Sequence, residues 1–101
     1  MVYLIRSARA LQGRAQTALP WAVQVADYVN EHYPDVHMEV WRNIDGPIDE
    51  VHWVVRYASL AVLERTKDQL DQDEAYQELV GAFQSIFDLS SANDRQYKAV
   101  P

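Results

Sequence analysis

The side chains with the widest chemical range crowd into the middle of the chain. His37, Glu39 and Trp41 stand two residues apart, and His52 and Arg56 follow within one short stretch. An imidazole can take up or release a proton near neutral pH, a carboxylate can fix its tautomer, and a guanidinium can hold an oxyanion. A base (His52), its orienting carboxylate (Glu39) and an anion holder (Arg56) are therefore the candidate catalytic set. His37 and His52 with Glu39 also have the residue types of a two-histidine, one-carboxylate metal site. No short ligand motif such as His-x-x-x-His joins them, so no metal is expected. His32, two residues before Pro34, reads as a capping residue at a helix end.

The chain has three glycines and no cysteine. Thiolate sites, disulfides and cysteine nucleophiles are excluded, and no dinucleotide fingerprint, P-loop or nucleophile elbow is present. The acidic run 68–74 lacks the glycine and ligand spacing of a calcium loop. Nothing in the spacing calls for a cofactor.

These residues must be held by strands. Residues 36–42 (Val-His-Met-Glu-Val-Trp-Arg) alternate apolar with polar, and residues 51–57 (Val-His-Trp-Val-Val-Arg-Tyr) alternate again. The Asp45-Gly46 pair between them suits a tight turn, so the two segments are expected to form a β-hairpin. With the turn centred on that pair, Val40 faces Val51, Met38 faces Trp53 and Val36 faces Val55, placing apolar pairs on one side. On the other side Glu39 then lies across from His52, and His37 across from Val54. That side carries His37, Glu39, Trp41, His52, Val54 and Arg56.

The flanking segments supply the other elements. Residues 2–7 read as a first strand. From about Arg14 to His32 a helix places Leu19, Ala22, Ala26, Val29 and Tyr33 on one face, widened by Trp21, Val25 and Tyr28. Pro20 either opens that helix or kinks it, and Pro34 closes it. Ser59 is the expected N-cap of a helix bearing Leu60, Leu63 and Leu70. Asp71 and Glu74 have the spacing of a capping box for a further helix carrying Tyr76, Leu79, Val80, Phe83 and Phe87. Residues 94–100 form a closing strand with Tyr97 as its anchor. Trp21 and Trp53 are assigned to the core.

The resulting order, β-α-β-β-α-β, predicts an α+β fold of ferredoxin-like type: an antiparallel four-stranded sheet with helices on one face, residues 1–101 forming one domain. The uncovered face would expose Trp41, and a second copy of the chain is the simplest cover for it. The 15 acidic against nine basic residues give a formal charge of −6, the wrong sign for nucleic acid or an anionic membrane surface. The N-terminal residues do not form a signal peptide, and no apolar stretch approaches the ~20 residues of a membrane span. A reducing cytoplasm is the expected location.

The element order, the stretch Ala18-Leu19-Pro20-Trp21-Ala22, the 51–57 strand running into Ser59-Leu60-Ala61, and Asp73-Glu74-Ala75-Tyr76-Gln77 carry a resemblance of pattern. In these the chain resembles the dimeric α+β barrel superfamily, with its NIPSNAP-like, antibiotic-biosynthesis-monooxygenase-like and stress-responsive barrel families. It implies two facing sheets enclosing a cavity, lined here by His37, Trp41 and Val54 with the candidate catalytic set. Three readings stay open at this level. The first is a homodimer binding a small apolar or aromatic molecule, the second a cofactor-independent oxygenase or isomerase, and the third a structural or interaction domain without a ligand.

Overall fold

Residues 36–57 do fold as a hairpin, and its apolar side decides where the helices lie. The computed structural model describes all 101 residues. It runs β1 (Val2–Arg9), α1 (Ala15–His32), β2 (Val36–Arg42), β3 (Glu50–Tyr57), α2 (Leu60–Asp71), α3 (Glu74–Val80), α4 (Phe83–Ile86), a 3-10 turn (Leu89–Ser91) and β4 (Asn93–Lys98). The strands form one antiparallel sheet in the order β2-β3-β1-β4. This is the expected ferredoxin-like α+β arrangement.

The core lies between the helices and one face of that sheet. Val36 and Met38 of β2 and Val51, Trp53, Val55 and Tyr57 of β3 are buried there, against Ala18, Trp21, Ala22, Val25, Ala26 and Val29 of α1. Four aromatic rings form its centre. Trp21 meets Trp53 edge-on with centroids 6.1 Å apart, Phe87 lies 5.7 Å from Trp21 and 5.4 Å from Trp53, and Phe83 stacks on Phe87 at 5.0 Å. Offset and edge-to-face contacts of this kind add to the area they bury. Both core indoles are satisfied: Trp53 donates to the Ala22 carbonyl at 3.2 Å and Trp21 to that of Leu79 at 3.3 Å. No helix is long and apolar enough to cross a membrane.

The hairpin register differs from the one expected by two residues. Met38 faces Val55 and Val40 faces Trp53, which puts Glu39 across from Val54, His37 across from Arg56 and Trp41 across from His52. Asp45-Gly46 does not close a two-residue turn. Residues 43–49 form a longer loop in which Gly46 has φ +85°, and Asn43 Nδ2 spans it by donating to the Pro47 carbonyl at 2.8 Å and Glu50 Oε1 at 3.0 Å. Proline cannot donate to a ladder, so pairing begins beyond it. A slip of two preserves both faces of a strand, so Val36, Met38 and Val40 keep apolar partners in Tyr57, Val55 and Trp53, while Val51 now faces Arg42.

Other boundaries follow local chemistry. Helix α1 continues through Pro20. Ser59 caps α2, its Oγ accepting from the Val62 amide. The cap of α3 is Asp73 and not Asp71: Asp73 Oδ1 accepts from the Tyr76 amide at 3.0 Å. The helical stripe expected to reach Phe87 breaks at Gly81 and Ala82 into α3 and α4. Tyr97 is not a core anchor, because it lies on the sheet face away from the helices and is 46% exposed.

Asp73 does more than cap. Tyr33 and Tyr28 both donate to its carboxylate, at 2.7 and 2.8 Å, tying the end of α1 to the start of α3. The Tyr33 hydroxyl, then the Tyr76 amide and Tyr28, hold the Asp73 carboxyl below its ordinary range, and burial with Asp73 contact pushes the Tyr33 phenol up to about 12. A carboxyl depressed in the folded state adds stability above its unfolded pKa of about 3.9, and that stability is lost as pH falls through the folded value. Asp73→Asn should therefore melt below the wild type at pH 7, with the gap closing as pH drops into the acid limb. Thermal unfolding followed across pH checks this, and a gap independent of pH would sink it. Separately, Phe87→Ala should cost about 3–5 kcal/mol in denaturant unfolding, since it empties the aromatic centre.

Candidate functional site

The uncovered face is ordered as rows of cross-strand neighbours. One row runs Trp41, His52, Ser7, Asn93, the next Glu39, Val54, Ile5, Arg95, and the third His37, Arg56, Tyr3, Tyr97. Neighbours directly opposed across antiparallel strands share a face and touch. All six residues expected on this face are there. Tyr3, Ile5, Ser7, Arg9, Glu50, Asn93, Arg95 and Tyr97 join them. The pairing of β1 with β3 and β4 that brings them to this face leaves no mark in the local sequence.

The second and third rows enclose a groove of about 230 Å³ with an apolar floor and a polar rim. Tyr3, Ile5, Val54 and Tyr97 line it with Trp41, while His37, Glu39 and Arg56 supply the polar groups. Val54 is 8% exposed, screened by its neighbours, whereas Trp41 is 51% exposed. An indole left that open, in a groove that two tyrosines also line, is unusual on a solvated sheet face.

Glu39 organises β2. Its Oε1 accepts from the Trp41 indole N–H at 3.0 Å, and its Oε2 lies 2.9 Å from His37 Nε2. One carboxylate thus fixes a ring on either side of it along the strand. The Trp41 bond first, then His37 and the charge of Arg56, hold the Glu39 carboxyl below its usual range. Arg56 itself has no carboxylate within ion-pair distance.

His52 is held differently from the expectation. With the register two residues on, Glu39 is not its partner. Its Nε2 lies 2.7 Å from Asn43 Oδ1 and 3.3 Å from Glu50 Oε1, and its Nδ1 lies 2.6 Å from Ser7 Oγ. His52, Glu39 and Arg56 therefore occupy three different rows and do not converge on one point. His37 and His52 stand four residues apart along the strands, and no three His, Asp or Glu side chains group as a metal ligand set. His32 sits on the far side, its Nδ1 2.9 Å from the Tyr28 carbonyl and its ring stacked on Tyr28.

The Glu39–Trp41 bond has a measurable signature. Trp21 and Trp53 are buried, so an acid-range change in indole emission belongs to Trp41. Emission should stay flat as pH falls through the ordinary glutamate value of about 4.3 and change only below it. The same titration of Glu39→Gln should show no such step, and a step that survives there would remove Glu39 as its cause.

No family model matches the chain, and no curated protein matches its sequence. Solved structures do match its fold. A NIPSNAP domain protein from Burkholderia xenovorans superposes with a TM-score of 0.81 at 12% identity, covering 99% of this chain and 95% of that one. A putative antibiotic biosynthesis monooxygenase from Deinococcus radiodurans gives 0.74 at 13% identity, over 100% and 94%. A NIPSNAP family protein from Agrobacterium tumefaciens gives 0.76 at 16%, over 98% and 85%. The chain has the ferredoxin-like α+β fold that NIPSNAP domain proteins and antibiotic-biosynthesis-monooxygenase-like proteins share.

Proposed function

We propose that two copies of this chain pack sheet to sheet, and that the groove between them becomes a cavity for a small apolar or aromatic molecule. The observation that carries this reading is Trp41: half exposed, fixed at its N–H by Glu39, and facing a floor of Tyr3, Ile5, Val54 and Tyr97. An oriented, uncovered indole in a groove that Tyr3 and Tyr97 also line is a stacking surface for a flat ligand. Arg56, free of any carboxylate partner, gives an oxygen anion on that ligand a place to bind.

Charge favours self-pairing over other partners. The chain carries a formal −6. The open face holds three arginines, Arg9, Arg56 and Arg95, against two glutamates, Glu39 and Glu50. The excess negative charge lies elsewhere, so two such faces approach without the repulsion that the whole chain would predict. The fold likeness to a putative antibiotic biosynthesis monooxygenase keeps an oxygenase or isomerase reading in view. That reading needs His52, Glu39 and Arg56 on one reacting centre, and their separation into three rows favours binding instead. The absence of cysteine fits a reducing compartment, and the cytoplasm is the proposed location.

Native mass spectrometry of gently purified protein, compared with its denatured mass, should show a dimer carrying extra mass. A monomer would overturn the sheet-to-sheet arrangement. Trp41→Ala should remain dimeric and lose affinity for that ligand roughly tenfold, about 1.4 kcal/mol. Loss of the dimer in that variant would place Trp41 in the interface instead of the cavity.

A further inference from the structure

Ser7, His52, Asn43 and Glu50 form a relay within a single chain. Ser7 and His52 are directly opposed on β1 and β3, with Ser7 Oγ 2.6 Å from His52 Nδ1. The other ring nitrogen faces two oxygens, Asn43 Oδ1 at 2.7 Å and Glu50 Oε1 at 3.3 Å. The amide of Asn43 is itself oriented, because its Nδ2 donates to the Pro47 carbonyl and to Glu50 Oε1. In the neutral imidazole the proton therefore sits on Nε2, and Nδ1 is left as the acceptor for the serine hydroxyl. A nucleophile, a base in the acceptor tautomer and a group that orients the base are the parts of an activated serine. Two of these parts stand on central strands, which hold geometry better than loops do.

We propose that Ser7 is a nucleophile with His52 as its general base, and that this row accepts the acyl group of a small activated carboxylic ester. The relay lies in one chain, so the proposal does not rest on the sheet-to-sheet dimer. Ser7 Oγ forms a bond to the ester carbonyl carbon as its proton passes to His52 Nδ1. The carbon–oxygen bond to the leaving group then breaks, and the departing oxygen takes that proton from His52. Water then gives a proton to the same nitrogen as its oxygen bonds to the acyl carbon. The bond from that carbon to Ser7 Oγ breaks, Oγ takes the proton back from His52 Nδ1, and a carboxylic acid leaves. Asn43 and Glu50 are positioning residues, acting only through the imidazole.

The neighbours in the row define the ester. Trp41 lies across from His52 on β2, and Asn93 across from Ser7 on β4. Two strand spacings separate Trp41 from Ser7, about 10 Å, the reach of an aryl ester laid along the row. The Asn93 carboxamide is the side-chain donor on this face nearest in register to a developing oxyanion. Backbone amides of the central strands are committed to the sheet, so no pair of them converges on the oxyanion. Deacylation should then be slow, and the acyl-enzyme should accumulate.

The probe is p-nitrophenyl acetate with the full-length protein, read by burst kinetics, peptide mapping and native mass together. The expected result is a burst of one p-nitrophenolate per chain and an acetyl group on the peptide containing Ser7. Ser7→Ala should lose the burst, and His52→Ala should slow it by roughly a hundredfold. Asn43→Ala should lower the acylation rate while leaving the half-saturating ester concentration unchanged, a split that general loosening of the fold would not produce. Circular dichroism verifies that each variant is folded. Acetylation confined to lysine, histidine or the N-terminus, or an undiminished burst in Ser7→Ala, would overturn the proposal. Native mass reports the dimer independently, so failure of either idea leaves the other standing.

Discussion

The aromatic contact between Trp21 and Trp53 is the joint on which the rest of the structure turns. Trp53 projects from the middle of β3, and Trp21 from the apolar stripe on α1, so their edge-on meeting at 6.1 Å fixes the helix layer against one side of the sheet. Phe83 and Phe87 complete the cluster from the other end of the chain. Once that side of β3 is committed to the core, alternation obliges His52, Val54 and Arg56 to face the other way. The exposed chemistry of this protein is thus a geometric consequence of where its largest rings are buried.

On the open face two hydrogen-bonded systems meet without merging. Glu39 holds His37 and Trp41 along β2, and Asn43 with Glu50 holds His52 toward Ser7. They touch where Trp41 and His52 pair across the hairpin. The first system presents a ring, the second a polarised hydroxyl. Both are preorganised by partners within the chain, so neither loses the conformational entropy of being ordered by a ligand.

Much of this arrangement is written in local pattern, and the part that is not has a common cause. Alternation marked both hairpin strands and assigned every residue to its correct face. It could not fix the register, because a shift of two residues leaves each side chain on the same face and still pairs Val36, Met38 and Val40 with apolar partners. The consequence was large: Glu39 and His52, apparently opposed, stand one row apart with different partners. Ser7 has no local signature, because its partner lies 45 residues away and long-range strand pairing leaves no local trace. Asn43 and Glu50 lie in and beside the hairpin loop, and a loop's hydrogen bonds depend on how it closes. Tyr97 looked like an anchor by residue type, while the ladder with β1 turned it outward.

The borders of the sheet bear on how this molecule meets others. All six residues of β4 are exposed, and Asp94, Arg95 and Lys98 sit among them; β2, the opposite border, carries Glu39 and Arg42. A bare strand edge invites an incoming strand to add to it, and charges at such an edge make that addition costly. Lateral growth into ribbons is discouraged at both borders. The surface left with apolar character and little net charge is the broad face between them, so the proposed stacking of layers would meet less resistance there than extension of the ladder would at either border.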